Sequence, residues 1–476
     1  MKVLFVIQRW AHFTYHESTI NQLCDNGNEV VVLADDNHAP LLADDPVTTR
    51  TEQWPNLVLK PMVIKRTGRW RSSLFGLREL LTYADYLNRP EQDPFYLMRW
   101  KRYLPPILNR IVRRSPFASR FAATKLARGL LRWFVRMAPA DKGIRNYLRE
   151  SQPDVVVASP TNMRYSEEAE YVKAANELGI PTVVPVLSWD NLTTKGLIHE
   201  LPNVTLVWNE TQKREAVSIH QIPEDRVVVT GSPFLDKWFD NQIEPLSGDT
   251  FRERVGLSAG TPFVLYLGSS ANIATDESRL VLQLAAHLAK SSDPRLRKIQ
   301  VLVRPHGANQ EPYRKISEPN VTVWMRDRQL PDSLEAFAEF AASLKFSECC
   351  LGLNTTGMVD ALLMNKPVIT LLVDQYRDTN ASKAVHYRYL LDAEVYLRSF
   401  TTEEAVGLIA RLHYEGDSTH ARREQFKLDF IRPHGLHRPA GAVAALAIQL
   451  AAEGKDPKEI EQLVSKPAKV GAAHTR

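Results

Sequence analysis

The feature that most constrains this chain is a series of short, uninterrupted runs of β-branched residues, spaced by stretches with helical periodicity. KVLFVI (2–7), EVVVLA (29–34), DVVVAS (154–159), PTVVPVL (181–187), VTLVW (204–208) and RVVVTG (226–231) contain almost no polar residue at alternate positions. A strand with one wet face alternates. A strand that does not alternate is buried on both faces, which demands a parallel sheet covered by helices on either side. Helical patterns over 16–26 and 165–178 supply such cover, so the first half reads as doubly wound α/β.

A second series repeats this logic after a stretch rich in Pro, Gly, Ser and Asp. Its strands are PFVLYLGSS (262–270), KIQVLVRPH (298–306), VTVW (321–324), ECCLGL (348–353) and PVITLLV (367–373), with helices over 276–290, 332–345 and 356–364. The expected fold class is α/β, with two Rossmann-like doubly wound domains facing a cleft and a basic helical insertion in the first. The expected division is an N-terminal, acceptor-side domain over 1–240 with the insertion at 64–145, then a linker over 241–261. A C-terminal donor domain follows over 262–438, then a closing helix over 439–455 and a disordered tail over 456–476. The length of 476 residues suits two or three domains at roughly 100 to 200 residues each. Three cysteines can build neither a disulfide framework nor a four-ligand zinc site, which points to a reducing, cytoplasmic setting. No apolar stretch reaches the about 20 residues that span a bilayer, so the expectation is a protein in solution or peripheral on the inner face of a membrane.

Charge is unevenly placed. The 64–145 block holds 19 Lys and Arg against 5 Asp and Glu, whereas the rest of the chain is mildly acidic. Wound as one helix, 117–136 puts Lys125, Arg128, Arg132 and Arg136 on one arc and Leu126, Leu130, Trp133 and Phe134 opposite, with Ser115 and Pro116 as N-cap and first residue. Three roles stay open: contact of Lys125, Arg128, Arg132, Arg136 and Trp133 with an anionic membrane or lipid-linked acceptor, tracking of a polyanion, or docking of the apolar face on the parent domain. No nucleic-acid-binding motif accompanies the block, so no nucleic-acid partner is expected.

Open parallel sheets bind ligands beyond the carboxyl ends of their strands. Three such ends in the second series carry anion-binding chemistry. Gly268, Ser269 and Ser270 form a small polar turn that lets a phosphate approach the backbone, or an ordinary strand-to-helix turn. Arg304, Pro305 and His306 offer a guanidinium fork and an imidazole aimed by a proline, or a solvated loop. Asn354, Thr355, Thr356 and Gly357 open a helix whose amides and dipole face an anion, with Asp360 one turn in to accept from vicinal ribose hydroxyls; the bland alternative is a structural cap. The tetrapeptide RPHG recurs at 432–435, a repeat that chance alone supplies in a chain of this length.

The stretch from Asn354-Thr355-Thr356-Gly357 through Asp360 and Ala361 to Lys366-Pro367-Val368, together with the Arg304 to His306 turn, resembles the nucleotide-sugar site of GT-B glycosyltransferases. It is most similar to bacterial envelope enzymes: Kdo transferases, capsule transferases and CDP-glycerol glycerophosphotransferases. That resemblance implies that Arg304, His306, Thr355 and Thr356 contact the donor phosphates and that Asp360 holds the ribose. It also implies a nucleotide-sugar as substrate, no cofactor and no metal. The first domain would then carry the acceptor and the base. Asp190, after PTVVPVL, and His16, after KVLFVI, are the candidates, against readings as an N-cap and a helix-start residue. Rival readings are a polyol-phosphate transferase, a non-hydrolysing nucleotide-sugar 2-epimerase, and an inactive binding protein for polysaccharide assembly.

Overall fold

The computed structural model describes residues 1–35, 52–68, 70–89, 94–239, 246–325, 334–376 and 385–466. Contacts divide the chain into two compact units, Met1–Phe239 with Leu428–Arg476, and Asp240–Lys427.

The first unit is built on a seven-stranded sheet. Its strands are β1 (Lys2–Ile7), β2 (Glu29–Ala34), β3 (Leu57–Lys60), β4 (Val155–Ser159), β5 (Thr182–Pro185), β6 (Val204–Val207) and β7 (Val227–Val229), in the order β3-β2-β1-β4-β5-β6-β7. Every pairing is parallel. Residues of β1 alternate between two cores, as the pleat requires. Val3, Phe5 and Ile7 pack with the Phe13–Asp25 and Ala440–Ala452 helices, while Leu4 and Val6 pack with Ile144, Leu148 and Tyr171 on the other face. Burial on both faces is therefore why these strands carry no polar alternation.

The second unit repeats the plan with six parallel strands, β8 (Phe263–Leu267), β9 (Gln300–Arg304), β10 (Val321–Val323), β11 (Cys350–Gly352), β12 (Val368–Leu371) and β13 (Leu397–Ser399), ordered β10-β9-β8-β11-β12-β13. The Ser278–Ala289 and Thr402–Glu415 helices bury Leu284, Leu288, Ala405 and Ile409 with Val264, Tyr266 and Ile369.

Three expectations about boundaries change. Residues 241–245 lie outside the described residues, but the rest of the expected linker holds a helix, Gly248–Val255. Its small polar residues are caps: Ser247 accepts from the amide of Thr250 at 3.2 Å, and Gly256 ends the helix at φ +81°. The expected tail begins with another helix, Pro457–Ser465, capped by Asp456 and seated on the first core through the fully buried Ile460 and Val464; residues 467–476 lie outside the described residues. Finally, residues from Leu428 onward join the first unit rather than the second.

That return is anchored by one carboxylate. Asp236 accepts from the Ser18 hydroxyl at 2.7 Å, from the Arg432 Nε at 2.9 Å, and from the amides of Ala440 (3.0 Å) and Gly441 (2.7 Å) at the start of the last long helix. His434 meets the Val229 carbonyl at 2.8 Å, so the second RPHG sequence is a structural staple. Gly441 is obligatory: a Cβ there would lie 2.1 Å from Ser18 Oγ and 2.6 Å from its carbonyl carbon.

The basic block is helical, but not as expected. In place of one helix over 117–136 there are two, Pro116–Ala122 and Lys125–Met137, because Thr124 breaks the run and caps the second through the Ala127 amide at 3.2 Å. Ser115 and Pro116 do open the first. The orientation is the reverse of apolar docking. Ala127 and Val135 face inward with Arg128, which pairs with Asp85 at 3.5 Å, and with Arg132, which donates to Gln221. Leu126, Leu130, Trp133 and Phe134 are exposed. Lys125, Arg136 and Trp133 are exposed, whereas Arg128 and Arg132 are half-buried and engaged with Asp85 and Gln221.

Candidate functional site

In the second unit the three turns read from sequence meet. Strands β9, β8 and β11 are neighbours, with Leu267 opposite Arg304 and Leu351 opposite Tyr266, so their carboxyl ends emerge side by side. The Gly268 amide donates to the Arg304 carbonyl at 3.0 Å. A Cβ on Gly268 would stand 2.8 Å from Tyr313 Oη, 3.1 Å from Pro305 Cα and 3.3 Å from His306 N. Glycine at this position thus lets the neighbouring Arg304 to His306 turn pack directly against the end of β8. Gly352 plays a similar part at the end of β11, where a Cβ would come within 2.8 Å of the Leu267 carbonyl oxygen.

Ser269 departs from its expected role. Its amide donates to Glu277 at 2.8 Å and its hydroxyl donates to the same oxygen, while Tyr266 donates to the other oxygen at 2.7 Å. Both Ser269 donors are consumed internally. Burial pushes the Glu277 carboxyl up, against the opposing pull of the Ser269 and Tyr266 hydrogen bonds. Glu277 was not singled out from sequence, since one acid near a helix start carries no distinctive signal. Ser270 is half-buried beside this bracket.

The second turn presents its groups differently. His306 Nδ1 accepts from the Ala308 amide at 3.1 Å, which leaves the ring proton on Nε2 as a donor. Burial, then the nearby Arg304 charge, lowers its pKa and keeps the ring neutral. The Arg304 guanidinium lies over the Phe340 ring at 4.0 Å and 5.7 Å from the centroid of Trp324, which limits its freedom. Phe340 in turn is 3.8 Å from the position of a Cβ on Gly357, so the same ring borders the third turn.

That third turn opens the Thr356–Leu363 helix. Thr355 is its extended N-cap and makes no side-chain capping bond; Thr356 is exposed, and Asp360 is half-buried one turn in. The first amides of a helix have no partner within it. Asn354 is buried behind them. The preceding Leu353 carbonyl accepts from Thr370 Oγ1 at 3.1 Å and Tyr387 Oη at 2.8 Å, bonds that fix where the helix begins. Gly268, Ser269, Ser270, Arg304, His306, Asn354, Thr355, Thr356, Gly357 and Asp360 thus share one edge of one sheet.

The first unit holds a separate polar cluster at its strand ends. Ser188 Oγ donates to Asp190 Oδ1 at 2.6 Å, Thr194 Oγ1 donates to Oδ2 at 2.9 Å, and Lys195 Nζ lies 3.7 Å from Oδ2. Asp190 precedes the short Asn191–Thr194 helix as its N-cap residue. His16 sits on the Phe13–Asp25 helix, buried against Phe5, and lines a depression with Tyr15, Trp208, Thr230 and Ile448 that encloses about 370 Å³, open mouth included. Burial lowers its pKa to about 4. His12, not chosen from sequence, feels Arg9, His16 and Lys195 besides burial, all of which lower its pKa to about 3. His12 is therefore coupled to His16 and to Lys195, the residue 3.7 Å from Asp190. Also unread in the sequence is a buried pocket lined by Glu79, Thr161 and His199, where burial pushes the Glu79 carboxyl up to about 7.

No family model matches the chain, and no curated protein matches it by sequence. Solved structures do match its fold. The chain is similar to S. aureus MnaA, solved with UDP, at a TM-score of 0.52 and 11% identity over 95% of this chain and 97% of that one. A UDP-GlcNAc 2-epimerase from Neisseria meningitidis bound to UDP-GlcNAc aligns at 0.51 and 14% identity, covering 93% and 98%. A glycosyltransferase from Rickettsia africae aligns at 0.50 and 10% identity, covering 98% and 99%. With its two parallel-sheet Rossmann-like domains, the chain has the GT-B fold.

Proposed function

We propose that this protein is a nucleotide-sugar glycosyltransferase that moves a sugar onto a surface polysaccharide or lipid-linked acceptor. The observation that supports this most is the convergence of the Gly268, Arg304 to His306 and Asn354 to Gly357 turns on adjacent strand ends of the second unit. The His306 Nε2 proton, the Arg304 guanidinium and the first amides of the Thr356–Leu363 helix form a donor set of the kind that stabilises a departing nucleotide phosphate. Asp360 is assigned to the ribose hydroxyls. The acceptor and the base are assigned to the first unit, where His16 and Asp190 are the candidates and His12 and Lys195 join them. Nucleotide-sugar binding is supported further by similar structures solved with UDP and UDP-GlcNAc.

A second reading, a nucleotide-sugar 2-epimerase, is favoured by the likeness to a UDP-GlcNAc 2-epimerase. The two differ in what they need. Incubating the purified protein with a panel of nucleotide-sugars should give nucleotide release that depends on an added saccharide or lipid-linked acceptor. Conversion of the donor without acceptor would establish the epimerase instead, and release of a nucleoside monophosphate would establish a polyol-phosphate transferase of the CDP-glycerol kind. Arg304→Ala and His306→Ala should each lower kcat/KM by about 100-fold, the usual cost of removing one preorganised donor from developing charge. Wild-type turnover in both variants would remove the proposed phosphate clamp.

A further inference from the structure

The reversed helix of the basic block gives the first unit an apolar surface that no part of the described structure covers. On the Lys125–Met137 helix, Leu126, Leu130, Trp133, Phe134 and Met137 recur at helical spacing along one face, and all are at least half exposed. Each of the two preceding helices also exposes a large apolar side chain: Ile107 is 72% exposed on Pro106–Arg114, and Phe117 is 77% exposed on Pro116–Ala122. Exposed apolar surface of this extent on a helix face marks an interaction site.

The charge around it identifies the partner. From Pro94 to Ala140 the chain has eleven Lys and Arg and neither Asp nor Glu. Arg110, Arg113, Arg114, Arg120, Lys125 and Arg136 are exposed among the apolar side chains. A second protein surface that buried this face would have to be both apolar and strongly acidic. An anionic bilayer meets both demands at once, since headgroups take the cations while Trp133, Phe134 and Leu126 enter the acyl boundary. Among the described residues no helix is long and apolar enough to cross a membrane, so the contact is interfacial.

We propose that these three helices dock the protein on an anionic lipid surface, with Phe117, Leu126, Leu130, Trp133 and Phe134 inserted and the exposed arginines on the phosphates. Arg128 and Arg132 hold the last helix to the body, through Asp85 and Gln221, so that its apolar face stays outward.

The test is co-sedimentation of the full chain with vesicles of phosphatidylcholine mixed with phosphatidylglycerol, against phosphatidylcholine alone. Wild type should bind the anionic vesicles, more weakly as salt rises. The exposed triple variant Leu126→Ser, Trp133→Ser, Phe134→Ser should bind about tenfold less, with an unchanged circular dichroism spectrum. Arg113→Glu with Arg120→Glu should weaken binding while leaving the apolar residues in place. Undiminished binding by the triple variant, or no preference for anionic lipid, would overturn the proposal. So would a wild-type dimer, seen by sedimentation velocity, that the triple variant abolishes and vesicles do not compete with, because the face would then belong to a second copy.

Discussion

At the scale of single residues, close approach and burial decide more than chemistry does. Gly441 sits where the last long helix crosses the Phe13–Asp25 helix against Ser18, so Gly441→Ala should destabilise the first unit by about 1 to 3 kcal/mol, measured as a shift in urea midpoint. An unchanged midpoint would mean that the helices separate freely. His16 gives a prediction in pH. Its folded pKa, about 4, lies below the unfolded value near 6.5, so the unfolded chain binds its proton first. Its contribution is fully present above about pH 6.5 and is lost as pH falls towards 4. Between about pH 7.5 and pH 5 that loss is on the order of 2 kcal/mol. Glu168, raised to about 8 by burial, acts in the opposite sense, losing stability as pH rises above the carboxylate range. Comparing wild type with His16→Leu isolates the histidine: the variant should show the smaller acid loss, and equal slopes would place the ring in water.

Among the elements, the sequence was most legible where strands are buried on both faces. EVVVLA and KVLFVI are strands over the expected residues, because nothing in a doubly covered parallel strand competes with β-branched packing. The edge strands β3 and β13 went unread, since their half-exposed LVLK and LRS sequences carry no such signature. Helical periodicity gave the two arcs of the basic block but not which arc faces inward; Asp85 and Gln221 decide that, and both are distant in sequence. At the proposed site the three turns were legible as strand ends, and parallel pairing brought them together. What the sequence concealed was competition inside the site: Ser269 looks like a phosphate ligand until Glu277, eight residues on, takes both its donors. The Thr356–Leu363 helix carries the element-scale prediction. With Asp360 on the ribose, Asp360→Asn should weaken ribonucleotide binding about tenfold, the worth of a charged hydrogen bond, and leave 2′-deoxyribonucleotide binding less affected. Equal losses for both would move Asp360 off the sugar.

For the whole molecule, a chain that begins in the first unit builds the second and then returns, sealing the first core with Val443, Ile448, Ile460 and Val464. The proposed activity requires the second unit to grip a nucleotide by its phosphates. The most direct measurement is calorimetric titration of nucleoside diphosphates and nucleotide-sugars into the wild type and into folded Arg304→Ala and His306→Ala variants. One saturable site in the wild type, weakened in both variants, is the predicted result. No binding at millimolar nucleotide, or equal affinity in all three proteins, would contradict it.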